Sequence, residues 1–599
     1  MNILRSGTLL LLLLSAWTAR GQVSFTRTDV TTGTNSQVAI ADFNGDGIPD
    51  IAVIVPATEG SSVLVYLGNG DGTFQTPKTT SFPAAAPKVF AVADFNLDGK
   101  LDIVANDSAN NVGHVLLGNG DGTFKAAILL PYAFDGVAAG DFNGDGIPDL
   151  AMALPREVDI ALGKGDGTFE TPVAYPVTLN QTGVFPGVDR VALADFNNDG
   201  RLDVVAIETA RNEISILLGN GDGTFRSPVN YAGTPNATSM TSVAIGDLNG
   251  DGVPDIVVGS DMGIGVFLGN GDGTFQAIRS TTLRADTSGV AIGDFNSDGI
   301  QDVVALNYFD GSVAAVLPGL GNGTFGTPVD IAVGSSPAGV AAADLNGDLV
   351  PDIVTANSGD GSISILINND PGAIRVSPSS GGGSAQTFAF TFSDRNGPSG
   401  LVSTQIDISA TLASSGACYF YYQPASNSIY LADDQGAFHT PLTIGASGTE
   451  QNSQCMINAG ASSVATSGKL LTLSLALTFE GAFSGAKNVY MEAFNGTEDT
   501  GWVRRGTWNV GSNLAQDFSF GISPNSQTVV AGASATYTVT ASSLNGFDGV
   551  VNFEIPGLPS GATGSFNPPS VTGSGSSTLT IQTSRSTPIA TTTDRKSVV

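Results

Sequence analysis

The sequence predicts an all-β chain, a seven-bladed β-propeller followed by two β-sandwich domains of which the last reads as truncated. Three observations carry this. One acidic nonapeptide, Asp-Phe-Asn-Gly-Asp-Gly-Ile-Pro-Asp in its first copy, recurs seven times at intervals of 47 to 54 residues. Each repeat unit holds four short strand signals separated by turn signals, and none shows helical periodicity. The seventh unit lacks its fourth strand, while an extra strand signal, Val23 to Val30, precedes the first acidic loop where a fourth strand belongs. A ring closed by that donor leaves no long unpaired edge, whereas a solenoid has no need to stop at seven units.

Taken in order, residues 1–21 read as a signal peptide: Arg5 gives the positive start, Leu9 to Leu14 the apolar run, and Ala19 and Gly21 the small residues before a cut. That run is too short for a membrane span, which needs roughly 20 apolar residues. The propeller is placed at residues 22–371. In its first unit Val38 to Ala41 enters the acidic loop, Ile51 to Val55 leaves it, and Val63 to Leu67 ends in Gly-Asn-Gly-Asp-Gly before a fourth strand after Phe74. This second signature, Leu-Gly-Asn-Gly-Asp-Gly-Thr-Phe, spans Leu67 to Phe74 and returns at Leu117, Leu162, Leu218 and Leu268, with a weakened copy at Gly321 to Phe325. Its Asn-Gly and Asp-Gly pairs are hairpin formers, so Asp71, Asp121, Asp166, Asp222 and Asp272 are read as turn residues.

Past Pro371 a Ser, Pro and Gly-rich stretch opens a module without acidic loops, placed at residues 372–513. Phe388, Phe390 and Phe392 alternate with small residues, as do Leu471, Leu473, Leu475 and Leu477, the pattern of half-buried strands. Cys418 and Cys455, the only cysteines, are expected to form one disulfide in a secreted chain. Trp502 and Trp508 are expected as core or edge aromatics. The third module, residues 514–599, has strand signals near Thr536, Val550 and Ser577, too few for a complete sandwich. Residues 593–599 read as the translation of a sequencing adapter, hence as an artefactual tail.

Charge narrows the function. The net charge is -31, and the seven loops hold 21 of the 55 acidic residues. Seven divalent cations would bring the sum only to -17, which offers no surface for a phosphate backbone and excludes nucleic acid as a partner. With only His114 and His439 present, histidine-based catalysis or zinc chemistry has little material.

The acidic loop supplies the donor set that calcium prefers, six to eight oxygens from carboxylates, amides and main-chain carbonyls. In the first copy these are Asp42, Asn44, Asp46, the carbonyl of Ile48, and Asp50. The second copy offers Asp94, Asn96, Asp98 and Asp102, the third Asp141, Asn143, Asp145 and Asp149, and the fourth Asp195, Asn197, Asp199 and Asp203. The fifth offers Asp247, Asn249, Asp251 and Asp255, the sixth Asp294, Asn296, Asp298 and Asp302, and the seventh Asp344, Asn346, Asp348 and Asp352. Up to seven Ca2+ ions are expected. Gly47 at position 6 admits positive φ, and Leu349, which replaces it in the seventh copy, is expected to weaken that site at a cost of about 1–2 kcal/mol. The apolar second position, Phe43 in the first loop, is expected between blades.

On these residues the chain resembles the FG-GAP or VCBS repeat family, to which the propeller of integrin α subunits belongs. The resemblance covers residues 22–371 and implies calcium in the loop joining the first two strands of each blade, held by the Asp, Asn, Asp and Asp of each repeat. No Arg-Gly-Asp tripeptide occurs. The Leu-Pro-Ser-Gly-Ala turn at Leu558 to Ala562 resembles bacterial immunoglobulin-like repeats. The expectation is a secreted or surface-attached, monomeric adhesion module with structural calcium, binding an extracellular protein. The alternatives are a glycan-binding propeller and an accessory part of a polysaccharide-processing enzyme. No nucleophile and base constellation stands out, so the chain itself is expected not to be an enzyme.

Overall fold

The computed structural model describes residues 23–583 except 35–36, 58–59, 178–187, 284–285, 308–310, 512–516, 524–533, 545–549, 554 and 556–561. The expected signal peptide, most of the Leu558 to Ala562 turn and the tail at 593–599 lie outside the described residues. The described part is all-β, with seven four-stranded antiparallel sheets in the first 368 residues. In the first sheet β2 (Val38–Ala41), β3 (Asp50–Val55), β4 (Ser61–Tyr66) and β5 (Lys78–Phe82) pair in sequence order. β3 is buried on both faces and reads accordingly as a continuous apolar run after Asp50, while β5 is largely exposed. Each blade repeats this gradient because its middle strands lie between neighbouring sheets.

The seventh sheet contains Pro337–Ala343, Asp352–Asn357, Ser362–Asn368 and, as its outer strand, β1 (Phe25–Thr31). β1 pairs antiparallel with Ser362–Asn368 over seven residues, from Phe25 opposite Asn368 to Thr31 opposite Ser362. One apolar cluster joins Val38, Ile51 and Val53 of the first sheet to Val354, Ile363 and Ile365 of the seventh, which closes the ring.

Neighbouring blades are stapled by two side chains that recur. Phe43, at the second position of the first acidic loop, meets Phe124 of the next blade's Gly-Asn-Gly-Asp-Gly-Thr-Phe turn edge-to-face at 6.1 Å. Phe95 with Phe169, Phe142 with Phe225, and Phe196 with Phe275 repeat the contact at 5.3 to 5.5 Å. Such pairs contribute about 0.5–1.5 kcal/mol each beyond their buried area. A main-chain bond accompanies them: Gly167 N donates to Phe95 O, and Gly223 N to Phe142 O. Gly72 N to Leu345 O is the same bond across the closure. These turn glycines sit at positive φ, and a Cβ on Gly72 would come within 2.8 Å of Ile367 Cδ1. The turns are thus hairpins, as expected, and inter-blade fasteners as well.

The second module packs a five-stranded sheet on a six-stranded one. Phe388, Phe390 and Phe392 lie beside Leu475, Leu473 and Leu471 on the neighbouring strand of the five-stranded sheet, and together with Leu477 and Trp508 they fill the module's core. Cys418 and Cys455 are bonded there with a Cα separation of 5.6 Å. The third module shows a four-stranded and a two-stranded sheet among its described residues.

Candidate cation-binding rim

Each acidic loop is a run of Asx turns wound around its first aspartate. Asp42 Oδ1 accepts N–H bonds from Gly45 (2.7 Å) and Asp46 (3.2 Å), and Oδ2 accepts one from Gly47 (2.8 Å). Asn44 Oδ1 then accepts from Asp46 N at 2.9 Å, and Asp46 Oδ1 from Ile48 N at 2.8 Å. Winding this tight needs two left-handed residues. Gly47 has φ +82° and Leu349 +66°, as the sixth position demands. The fourth position is left-handed too, and there Leu97, Asn198 and Ser297 replace glycine at φ +58°, +55° and +53°, a second requirement missed in the sequence.

The ninth aspartate plays a different part. Asp50 is fully buried, with Oδ2 accepting Phe43 N and Oδ1 accepting Gly68 N, both at 2.8 Å. All seven copies are built this way, down to Asp352, which accepts from Leu345 N and Asn368 N. It ties the acidic loop to the end of the third strand of its own blade. The close fit explains Gly68, whose Cβ would lie 2.4 Å from Pro49 O. Among the described residues no three His, Cys, Asp or Glu side chains converge as a ready-made metal centre. In the first five loops the rim carboxylate pair and the asparagine amide are the donors nearest to solvent.

Burial sets the electrostatics, reinforced by the two rim carboxylates of the same loop. Together they push Asp102, Asp149, Asp203 and Asp255 up to about 6 even though two N–H groups favour the charged form. Asp302 and Asp352 are pushed to about 8 for the same reasons. A cation would relieve this strain, since it favours the ionised form of every carboxylate near it. The oxygen-only donor set fits a hard ion such as calcium, and each carboxylate retains acceptor capacity beyond the N–H bonds it already takes.

The sixth and seventh loops differ from the other five because the sandwich lies against them. At position 5, Asp46, Asp98, Asp145, Asp199 and Asp251 are exposed, Asp298 is half-buried and Asp348 is buried. Arg505 of the sandwich donates through Nη2 to Ser297 O at 2.7 Å and through Nε to Ala373 O at 2.5 Å, and lies 3.8 Å from Asp294 Oδ2. Asp294 is nonetheless pushed up to about 6, because burial outweighs the guanidinium. In the seventh loop Asp348 is pushed to about 7 by burial. The buried Asn346 Oδ1 accepts no hydrogen bond, and Asp348 Oδ2 has the Asn346 amide beside it without a bond of normal geometry. Unsatisfied buried oxygens of this kind are a further fit to a cation.

Six overlapping stretches of the chain match the family described as the FG-GAP-like repeat: residues 42–105, 94–152, 141–206, 195–258, 247–305 and 294–355. Each begins at an acidic loop and runs to the corresponding strand of the next blade. No curated protein matches the chain. Among solved structures, a lectin from Agrocybe aegerita that recognises non-reducing terminal N-acetylglucosamine is 22% identical, with TM-score 0.38, over 54% of this chain and 86% of its own. A periplasmic gluconolactonase from Pseudomonas aeruginosa is 15% identical, with TM-score 0.40, over 51% and 86%. A protein of unknown function from Desulfotomaculum acetoxidans is 14% identical, with TM-score 0.36, over 55% and 91%.

Proposed function

Because the chain belongs to the FG-GAP-like repeat family, we propose that it is a secreted or cell-surface binding protein, an adhesion module whose propeller rim is stiffened by structural calcium. The observation that supports this most is the sevenfold acidic loop on one side of the ring: each copy sets two further carboxylates and an asparagine amide beside a buried ninth aspartate that burial pushes above its usual range, and the chain's own cations near the first five loops, Lys125 by Asp98 and Arg201 by Asp199, are exposed. Bound calcium supplies positive charge that neutralises the carboxylates and holds the Asx turns closed. Asp42, Asn44, Asp46, the Ile48 carbonyl and Asp50, with their equivalents, would hold it. The chain's own work is to present a rigid surface, so the role is binding rather than catalysis. Among the described residues no helix is long and apolar enough to cross a membrane.

Sites of this extracellular kind bind calcium with dissociation constants of about 10⁻⁴ to 10⁻³ M. Calorimetric titration of the chelator-stripped protein is expected to show several such sites, and EGTA is expected to lower the melting temperature and open the rim to protease. Melting and proteolysis unchanged by EGTA would remove the calcium assignment. Capture of an extracellular protein partner in calcium but not in EGTA is the expected sign of adhesion; equal capture in both would disconnect the rim from binding.

A further inference from the structure

A cavity of about 1030 Å³ lies where the three modules meet, bounded by the sixth acidic loop, the sandwich strands Gly372–Ser377 and Val503–Val510, and the opening strand of the third module. Its charge runs against that of the molecule. The chain has 24 Lys and Arg against 55 Asp and Glu, yet Arg375, Arg504 and Arg505 all line this space, with Asp298 the one acid among its lining residues. Arg505 is committed to Ser297 O of the propeller and Ala373 O of the sandwich's first strand. Arg375 and Arg504 are exposed, and neither guanidinium has a hydrogen bond or ion pair among the described residues.

Aromatic faces stand beside these charges. Trp502 and Tyr490 are half-buried and Phe520 is 41% exposed in the same lining. Trp502 is held from behind by Tyr419, edge-to-face at 5.7 Å. Planar guanidinium forks pair with carboxylates in two parallel hydrogen bonds, and indole and phenol rings offer flat apolar faces with a polar edge. The volume suits a ligand of a few rings.

We infer that this inter-module cleft binds an acidic oligosaccharide, with uronate carboxylates on Arg375 and Arg504 and sugar rings against Trp502 and Tyr490. An acidic peptide fits less well. Much of the edge it would extend is taken, because Thr507 N donates to Ser379 O and Asn509 N to Gly381 O. The inference does not depend on calcium in the acidic loops.

Tryptophan fluorescence of the full chain tests it. Of the three tryptophans, Trp508 is 1% exposed with its N–H on Gly383 O, and Trp17 lies outside the described residues, so Trp502 is the reporter in the cleft. Trigalacturonate, galactotriose and triglutamate are titrated separately in calcium buffer at low and high salt. The expected result is a saturable, salt-weakened change with trigalacturonate alone. The R375Q/R504Q variant is expected to bind roughly tenfold or more weakly, and W502F to lose the signal, with circular dichroism confirming that both fold. No saturable response to trigalacturonate, an equal response to galactotriose or triglutamate, or undiminished binding by R375Q/R504Q would each overturn the inference.

Discussion

Replacing Arg505 with methionine tests how the sandwich is held to the propeller. The guanidinium donates to two main-chain carbonyls, Ser297 O on the sixth loop and Ala373 O at the start of the sandwich, and stands 3.8 Å from Asp294 Oδ2. Hydrogen bonds from a charged donor are each worth about 1.5–3 kcal/mol. Against this, the Arg505 side chain is only 15% exposed, and burying its charge costs part of that gain. A net loss of about 2–4 kcal/mol in docking follows from the difference. Scanning calorimetry of R505M in saturating calcium is expected to show the sandwich melting apart from the propeller and earlier than in wild type, with faster proteolysis between residues 369 and 373. R505K, which keeps charge but not the fork, is expected to recover less than half of the loss. A thermogram of R505M that overlays wild type would refute the view that this residue clamps the two modules.

Four further outcomes are expected. Leu349→Gly removes a left-handed leucine that is 45% exposed and buries little; after the entropy cost of glycine it should stabilise by about 0.5 kcal/mol, and a lower melting temperature would contradict the strain. Asp50→Asn leaves one of two buried N–H groups, Phe43 or Gly68, without its acceptor and should cost about 1–3 kcal/mol in urea unfolding, more than Asp42→Asn on the exposed rim. Asp370, pushed to about 8 by burial and next by Glu498, favours the folded state fully below about pH 4, and that contribution is lost as pH rises through about 8; Asp370→Asn should flatten the fall in melting temperature over that range, and an unchanged slope would exclude it as the source. The double variant C418S/C455S opens a cross-link between residues 37 apart and should destabilise the sandwich by about 3–4 kcal/mol, leaving the propeller transition in place; a shift of both transitions together would show the modules unfold as one.

What could be read in the sequence was local or periodic. The acidic loops, the alternation of Phe388, Phe390 and Phe392, and the strand before the first loop declare themselves through spacing, and the structure pairs that strand with Ser362–Asn368. The parts that escaped are those whose partners are distant in the chain. The ninth aspartate has a second task with no sequence signal, tying its loop to Gly68, which donates to it from 18 residues on. Phe124 looks like a hairpin residue until it meets Phe43 of the preceding blade. The left-handed fourth position hides behind Leu97 and Ser297, which are poor sequence signals for positive φ. No spacing rule connects Arg505 to Ser297 across 208 residues.

That last contact breaks the symmetry the repeat suggests. Seven similar loops would make seven equivalent sites, but the sandwich covers two of them, placing a guanidinium at the sixth and burying Asp348 in the seventh. A cation entering the sixth loop meets a largely buried guanidinium fixed beside Asp294, whereas the basic side chains near the second and fourth loops, Lys125 by Asp98 and Arg201 by Asp199, are exposed and free to swing into solvent. Two charges a few ångströms apart repel by several kcal/mol at the effective dielectric of a partly buried site. The sixth loop is therefore expected to fill last in a calcium titration of wild type and to rejoin the first five in R505M. A partner that approaches the rim is likewise left with blades one to five, so rim substitutions such as Asp46→Asn should weaken its capture while Asp348→Asn should not. Equal effects at both positions would mean that the sandwich does not shield this face.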